Sequence, residues 1–146
     1  CPEQVTIECV AGITAALSGA AKLGSPLTND FCVISLSDAL TPWETIEKRL
    51  RAAAAGDFAI AIYNPQSNKR KDYLKRAADI LYDEGVPGER PAGYVKNIDR
   101  KGEEVFAGTL SEVIKSPVDM FTTVFVGSSK TLLVNGRLLT QRGYEL

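Results

Sequence analysis

The chain contains no histidine, so no histidine-based nucleophile triad, zinc–histidine site or imidazole acid–base step can be assembled from it. It also lacks G-x-G-x-x-G and G-x-x-x-x-G-K-[ST], which removes support for the nucleotide folds that those loops serve. No G-x-S-x-G elbow occurs, and no acidic cluster has metal-ligand spacing, so no metal is expected. No apolar run approaches the ~20 residues that span a bilayer, and no signal peptide is visible. The expectation is a cytoplasmic protein with no membrane partner. Cys1, Cys9 and Cys32 are an odd set without C-x-x-C spacing, as expected of reduced thiols rather than a disulfide framework. The only methionine is Met120, and the chain opens at Cys1-Pro2 directly into a strand pattern, so it reads as a fragment.

What is present is ordinary in composition. The 146 residues suffice for one domain with a real core, and 45% apolar and 24% charged content is usual for a globular protein. A formal charge of −1 argues against general affinity for nucleic acid or acidic surfaces.

The most informative stretch is Phe58-Ala59-Ile60-Ala61-Ile62-Tyr63-Asn64-Pro65. Its apolar run reads as a buried strand that stops at a polar Asn-Pro turn. Lys69, Arg70, Lys71, Lys75 and Arg76 follow at once, on a helix expected from a Ser67 cap to about Glu84 with Leu74, Ala77 and Leu81 buried. Cations at a helix N-terminus oppose the macrodipole by roughly a few tenths of a kcal/mol. That conflict marks either a site or a solvated face paired through Asp72–Arg76 and Lys75–Asp79. Ligands collect where strands end and helices begin in α/β folds, so Tyr63 to Arg76 is the first place to look.

Other elements follow from pattern. Val5–Val10 alternates and predicts a strand; Ile13–Leu23 predicts an Ala/Ser/Gly helix able to approach a neighbour closely, with Gly24 as its cap. Phe31–Leu36 predicts a strand, and Thr41-Pro42-Trp43-Glu44 reads as a capping box before a helix that ends at Gly56. On that helix Trp43, Ile46, Leu50 and Ala53 form the apolar face, and Glu44–Lys48 and Glu47–Arg51 are paired on the wet side. Pro91–Asn97 with Glu103–Ala107 predicts a strand pair, Thr109–Lys115 a short helix, and Phe121–Gly127 a central strand. Thr131–Val134 and Arg137–Thr140 flank Asn135-Gly136, the strongest short hairpin signal. The order predicts an α/β fold with a mixed sheet of about five strands flanked by helices. From residues alone this is a small-molecule-binding α/β domain.

Several blocks carry a family resemblance. Phe31–Leu50, with its Ser-Leu-Ser-Asp and Thr-Pro-Trp-Glu segments, is similar to the precorrin-3B C17-methyltransferase family of cobalamin biosynthesis, a branch of the tetrapyrrole methylases. So are Ile62–Arg70, Asp119–Gly127, Asn135-Gly136-Arg137 and Thr140–Tyr144, in the same order over nearly the whole chain. The resemblance implies a two-domain homodimer that binds S-adenosylmethionine between domains and methylates C17 of a tetrapyrrole with contraction of the macrocycle. Residues 1–30 then resemble the end of the N-terminal methylase domain (last strand, helix and linker), and 31–146 the C-terminal methylase domain. The N-terminal sheet with its Gly-Pro-rich loop and Gly-Asp segment is not in the chain, so the fragment is expected to be inactive alone.

Matched residue by residue, the resemblance implies cofactor contacts at Thr14 and Ala15, at Tyr63 and Asn64 beside the adenosyl group, and at Asn97 and Ile98 toward the adenine. Thr122, with Thr123, lies on the strand beneath, where the family often has a further contact. The family's Val-Pro-Gly turn reads Val10-Ala11-Gly12 here, and Thr28-Asn29-Asp30 stands where Gly-His-Asp is expected. A sulfonium is an activated methyl donor, so the protein must chiefly align the reactants and exclude water. A polycarboxylate tetrapyrrole wants cations: Lys69 and Arg70 are the candidate substrate-binding residues, with Lys96, Arg100 and Arg142 also available. No catalytic residue is assigned; Asp38 is the one proton acceptor suggested within the chain. Two other readings stay open: a tetrapyrrole methylase acting at another carbon or on ribosomal RNA, and a non-catalytic dimerisation and ligand-pocket domain.

Overall fold

The computed structural model describes residues 5–67 and 71–143. Along the chain run α1 (Ala15–Leu23), β1 (Gly24–Ser25), β2 (Phe31–Ser35), α2 (Trp43–Ala55), β3 (Ala59–Tyr63) and α3 (Tyr73–Asp83). Then come β4 (Pro91–Lys96), β5 (Glu104–Thr109), α4 (Leu110–Val113), β6 (Thr122–Val126), β7 (Thr131–Val134) and β8 (Arg137–Thr140). The main sheet has five strands in the order β2-β3-β6-β4-β5, so the Phe121–Gly127 run is central as expected. β2 and β3 are parallel, and the remaining pairs are antiparallel. A smaller sheet, β1-β8-β7, holds the hairpin, whose Asn135 and Gly136 have φ of 50° and 71° as a tight primed turn requires.

Side-chain alternation sorts the core into two layers. Ile60 and Ile62 of β3 and Val124 and Val126 of β6 face α2, α3 and α4, where Ile46, Leu50, Leu74, Leu81 and Leu110 cover them. Ala61 and Phe125 point the other way, to Ala16, Ala20 and Leu23 of α1. Burial on both faces explains why these two strands read as continuous apolar runs. The small residues of α1 serve this layer. A Cβ added to Gly19 would lie 2.7 Å from the fully buried Phe125 ring, so the helix sits as low as a glycine allows.

Five local expectations change. Val5–Val10 forms no strand, and Val5, Ile7 and Val10 are 66%, 91% and 85% exposed. Alternation alone does not make a strand without a neighbouring edge to hydrogen-bond. The α2 helix is capped at Pro42, one residue after Thr41, which places the Thr41 hydroxyl too far upstream for the first turn. The α3 helix starts at Tyr73 rather than after Ser67, and its buried spacing begins at Leu74. Its cations Lys75 and Arg76 therefore lie within the helix, Lys71 precedes it, and Lys69 and Arg70 lie outside the described residues. Arg76 does not pair with Asp72. Its guanidinium lies 4.0 Å from the centre of the Trp43 ring, which in turn meets Tyr73 at 4.7 Å, locking the starts of α2 and α3 together. On α2, Glu47–Arg51 forms at 2.7 Å and extends to Glu84 just past the end of α3, also 2.7 Å, whereas Glu44 and Lys48 do not pair with each other.

A polar clasp closes the turn into β3. Asp57, at φ 52°, accepts hydrogen bonds from the Ser129 amide (2.7 Å) and hydroxyl, and Arg90 lies 3.3 Å away. Partial burial pushes this carboxyl up, but the Ser129 hydroxyl and amide and the Arg90 charge outweigh it, so it titrates below its ordinary value. A group depressed in this way stabilises the fold above the usual carboxylate range of about 4 and loses that contribution as pH falls through its folded-state value. Thermal melts of the wild type should therefore drop below about pH 4 more steeply than those of Asp57→Asn, which has no proton to take up. Parallel curves would contradict the clasp. Gly19→Val should destabilise by about 2 kcal/mol in denaturant unfolding, through overpacking against Phe125.

Candidate functional site

The parallel strand β3 ends at Tyr63, next to the first turn of α1. The Tyr63 hydroxyl accepts a hydrogen bond from the Ala16 amide (2.8 Å), one of the helix-start N–H groups with no partner inside its own helix, and also bonds the Thr14 hydroxyl (2.5 Å). The strand end and helix start are thus fastened to each other. The chain then turns sharply at Asn64, whose φ of 52° is in the left-handed region and whose side-chain amide donates to Ser35 Oγ at 2.9 Å.

A second such turn follows β4. Asn97 and Asp99 have φ of 51° and 55°, and the Asn97 side-chain amide donates to the Gly102 carbonyl at 3.2 Å. The loop is tied to α1: Lys22 reaches Asp99 at 2.6 Å and Glu103 at 3.3 Å, and the Asp99 amide donates to Glu103. Non-glycine residues held at positive φ cluster at ligand clamps, and here they stand on both sides of one opening.

Between these turns lies a cleft of about 420 Å³. One wall is Ile13 with the start of α1 (Ala15, Ser18), another the Asn97–Arg100 turn, and the floor is the end of β3 and the start of β6. Of the residues the sequence singled out, Ala15, Tyr63, Asn64, Asn97, Ile98 and Thr122 all line it, from four separate parts of the chain. Thr14 stands directly behind Tyr63, positioning it through the hydroxyl pair. Lys69 and Arg70 lie outside the described residues. Lys96 is held by Asp119 at 3.0 Å, while Arg100 borders the cleft. Asp38 is off the cleft and accepts a hydrogen bond from the Tyr73 hydroxyl.

Thr122 is less available than its position suggests. Its hydroxyl donates to the Asp119 carboxylate and accepts from the Asp119 amide, both at 3.0 Å. The carboxylate also accepts from the Phe121 amide at 2.9 Å. Partial burial raises the Asp119 carboxyl, but the Lys96 bond and these donors win, so it stays ionised below its ordinary range.

Sequence reasoning missed Ile13, Ser18, Asp99, Met120 and Phe121 as lining residues. Met120 and Phe121 read as the approach to a buried strand, yet they are 60% and 56% exposed at its mouth. The polar Asn-Ile-Asp-Arg turn was visible, but nothing local showed that it folds over α1. Among the described residues, no group of three acidic, cysteine or histidine side chains is arranged to hold a metal ion, and no helix is long and apolar enough to cross a membrane. Cys9 and Cys32 are free thiols, and Cys1 lies outside the described residues.

Comparison with known proteins places this geometry. The family model for tetrapyrrole (corrin/porphyrin) methylases matches residues 1–114. The probable cobalt-factor III C(17)-methyltransferase of Salmonella typhimurium is 45% identical over 143 residues, which cover 98% of this chain and 59% of that protein. The crystal structure of the methyltransferase CobJ superposes with a TM-score of 0.82 at 40% identity, over 89% of this chain and 54% of that one. A uroporphyrin-III C-methyltransferase from Thermus thermophilus, solved with S-adenosylhomocysteine, shares the fold at a TM-score of 0.57 and 21% identity, over 84% of this chain and 51% of that one. The chain thus spans little more than half of each of these proteins.

Replacing Tyr63 by Phe removes both bonds to α1 and should cost about 1 to 2 kcal/mol in denaturant unfolding, while leaving the sheet intact by circular dichroism. A variant as stable as the wild type would show that the strand–helix fastening does not contribute.

Proposed function

The chain belongs to the tetrapyrrole (corrin/porphyrin) methylase family, and on that premise we propose that it is the C-terminal part of an S-adenosylmethionine-dependent enzyme that methylates C17 of a tetrapyrrole in cobalamin biosynthesis. The substrate on this reading is precorrin-3B or its cobalt-bearing counterpart, cobalt-factor III, the latter being named for the Salmonella relative. The observation that carries the reading is the meeting of Ala15, Tyr63, Asn64, Asn97 and Ile98 in one cleft. Its volume of about 420 Å³ lies in the range of small-molecule sites, and it mixes apolar wall (Ile98, Phe121) with a few placed amides.

A sulfonium donor brings its own activated methyl group. What the chain's residues contribute is binding and orientation: Asn64 and Asn97 offer their free side-chain oxygens, Ile98 and Phe121 exclude water, and Thr14 holds Tyr63 in place. Lys69 and Arg70 are proposed to meet carboxylates of the tetrapyrrole. Residues 1–30 are proposed to close the N-terminal methylase domain and 31–146 to form the C-terminal one, in a cytoplasmic homodimer.

The test is calorimetric titration of S-adenosylhomocysteine into the full-length protein and into its Thr14→Ala, Asn64→Ala and Asn97→Ala variants. Affinity should fall by about 3- to 10-fold in each, the loss of one hydrogen bond or one positioning contact. Unchanged affinity in all three would rule out this cleft as the donor site.

A further inference from the structure

The ladder between β4 and β6 ends at the Lys96 and Thr122 pair, yet much of the cleft is built from what lies beyond it. The Asn97–Arg100 turn follows β4, and Met120 and Phe121 precede β6. Two segments that have left a sheet no longer hold each other by regular hydrogen bonds. A wall and a rim made of them keep a fixed spacing only if other bonds set it.

Asp119 supplies those bonds, and it uses both carboxylate oxygens. Oδ1 accepts from the Phe121 amide at 2.9 Å and from the Thr122 hydroxyl at 3.0 Å. Oδ2 lies 3.0 Å from the Lys96 ammonium. The Phe121 carbonyl in turn accepts from the Asn97 amide at 3.1 Å, one step past the ladder. Lys96 and Asn97 are consecutive, so the bonds close a ring: Asp119 to Phe121, Phe121 to Asn97, and Lys96 back to Asp119. The neighbouring Val118 is buried in the core with α2 and α3 and anchors the ring from behind. The bonds from an ionised carboxylate to the Phe121 amide and Thr122 hydroxyl are the stronger half of this clamp. The Lys96 contact is the weaker half, since the two side chains are 22% and 38% exposed and water screens them.

We infer that Asp119 is a positioning residue for the cleft: its carboxylate locks the turn after β4 to the turn before β6 and so holds Asn97 and Phe121 where a bound methyl donor meets them. The inference rests on the donor-site reading above. It adds a residue that does not line the cleft and acts through two that do. Asn97 sits at φ 51°, a conformation that costs energy and persists where the surroundings impose it, and the bond from its amide to Phe121 is one such constraint.

The test is titration of S-adenosylhomocysteine into the full-length protein, well below the melting transition of every variant. Lys96→Met and Asp119→Asn each remove the ion pair but leave an acceptor for the Phe121 amide, and each should bind about 2- to 4-fold more weakly. The double variant should be no weaker than the poorer of the two, because both changes remove the same bond. Asp119→Ala also abandons the Phe121 amide and should lose about 10-fold, with Asp119→Asn recovering most of that loss. A merely structural role would lower melting temperatures and leave the affinities of all four variants unchanged, and that result would overturn the assignment. So would losses that add in the double variant, or an Asn variant as weak as Ala. The Thr14, Asn64 and Asn97 variants separate the two levels. If they lose affinity and Asp119→Ala does not, Asp119 alone is misassigned; if none of the four loses affinity, the donor-site reading itself fails.

Discussion

The contact between Gly19 and the Phe125 ring sets the geometry on which the cleft depends. Phe125 is fully buried on the central strand, and Gly19 lets α1 descend onto it with no Cβ between. Interiors are packed too densely to absorb an extra methyl at such a contact without displacing one side. With α1 at that height, its first turn meets the end of β3, and the Tyr63 hydroxyl reaches the Ala16 amide. Lys22, near the other end of the helix, reaches the Asp99–Glu103 loop. One low-lying helix thus places two walls of the cleft.

The floor obeys a simpler constraint. Adjacent residues on a strand face opposite sides, so Thr122 and Thr123 border the cleft with different neighbours. The Thr122 hydroxyl is absorbed into the Asp119 network together with Lys96. The opposite face is assigned to stability. There the Trp43–Tyr73–Arg76 stack and the Arg51 bridge join α2 to α3 without entering the cleft. The cationic segment that stood out in the sequence is therefore divided. Arg76 is a packing residue, and Lys69 and Arg70 keep only a proposed role toward substrate.

Much of the candidate site could be read before the fold was known, because its residues sit at punctuation marks. Asn64 precedes Pro65 at the end of an apolar run, and Asn97 follows a strand pattern, so both announce a sharp turn. Both occupy left-handed backbone, which asparagine tolerates better than most residues. The resemblance to the methylases joined these scattered positions into one hypothesis, and the cleft brings them together. What misled was pattern without a partner. Val5–Val10 alternates like a strand but meets no edge, and Thr41 has the chemistry of a cap but stands one residue too early.

Local sequence by itself determined the order of the longer helices and strands from α1 onward, the central place of the Phe121–Gly127 run, the Asn135-Gly136 hairpin and the turn residues of the site. Each follows from propensity, periodicity or backbone freedom within a few residues. Only the tertiary structure decided that the Thr122 hydroxyl is tied to Asp119, that Tyr63 is held by Thr14 and Ala16, and that Asp99 is tied to Lys22. Those outcomes depend on the height of α1 over the sheet and on strand register. Contacts between residues dozens of positions apart set both, and no local pattern encodes them.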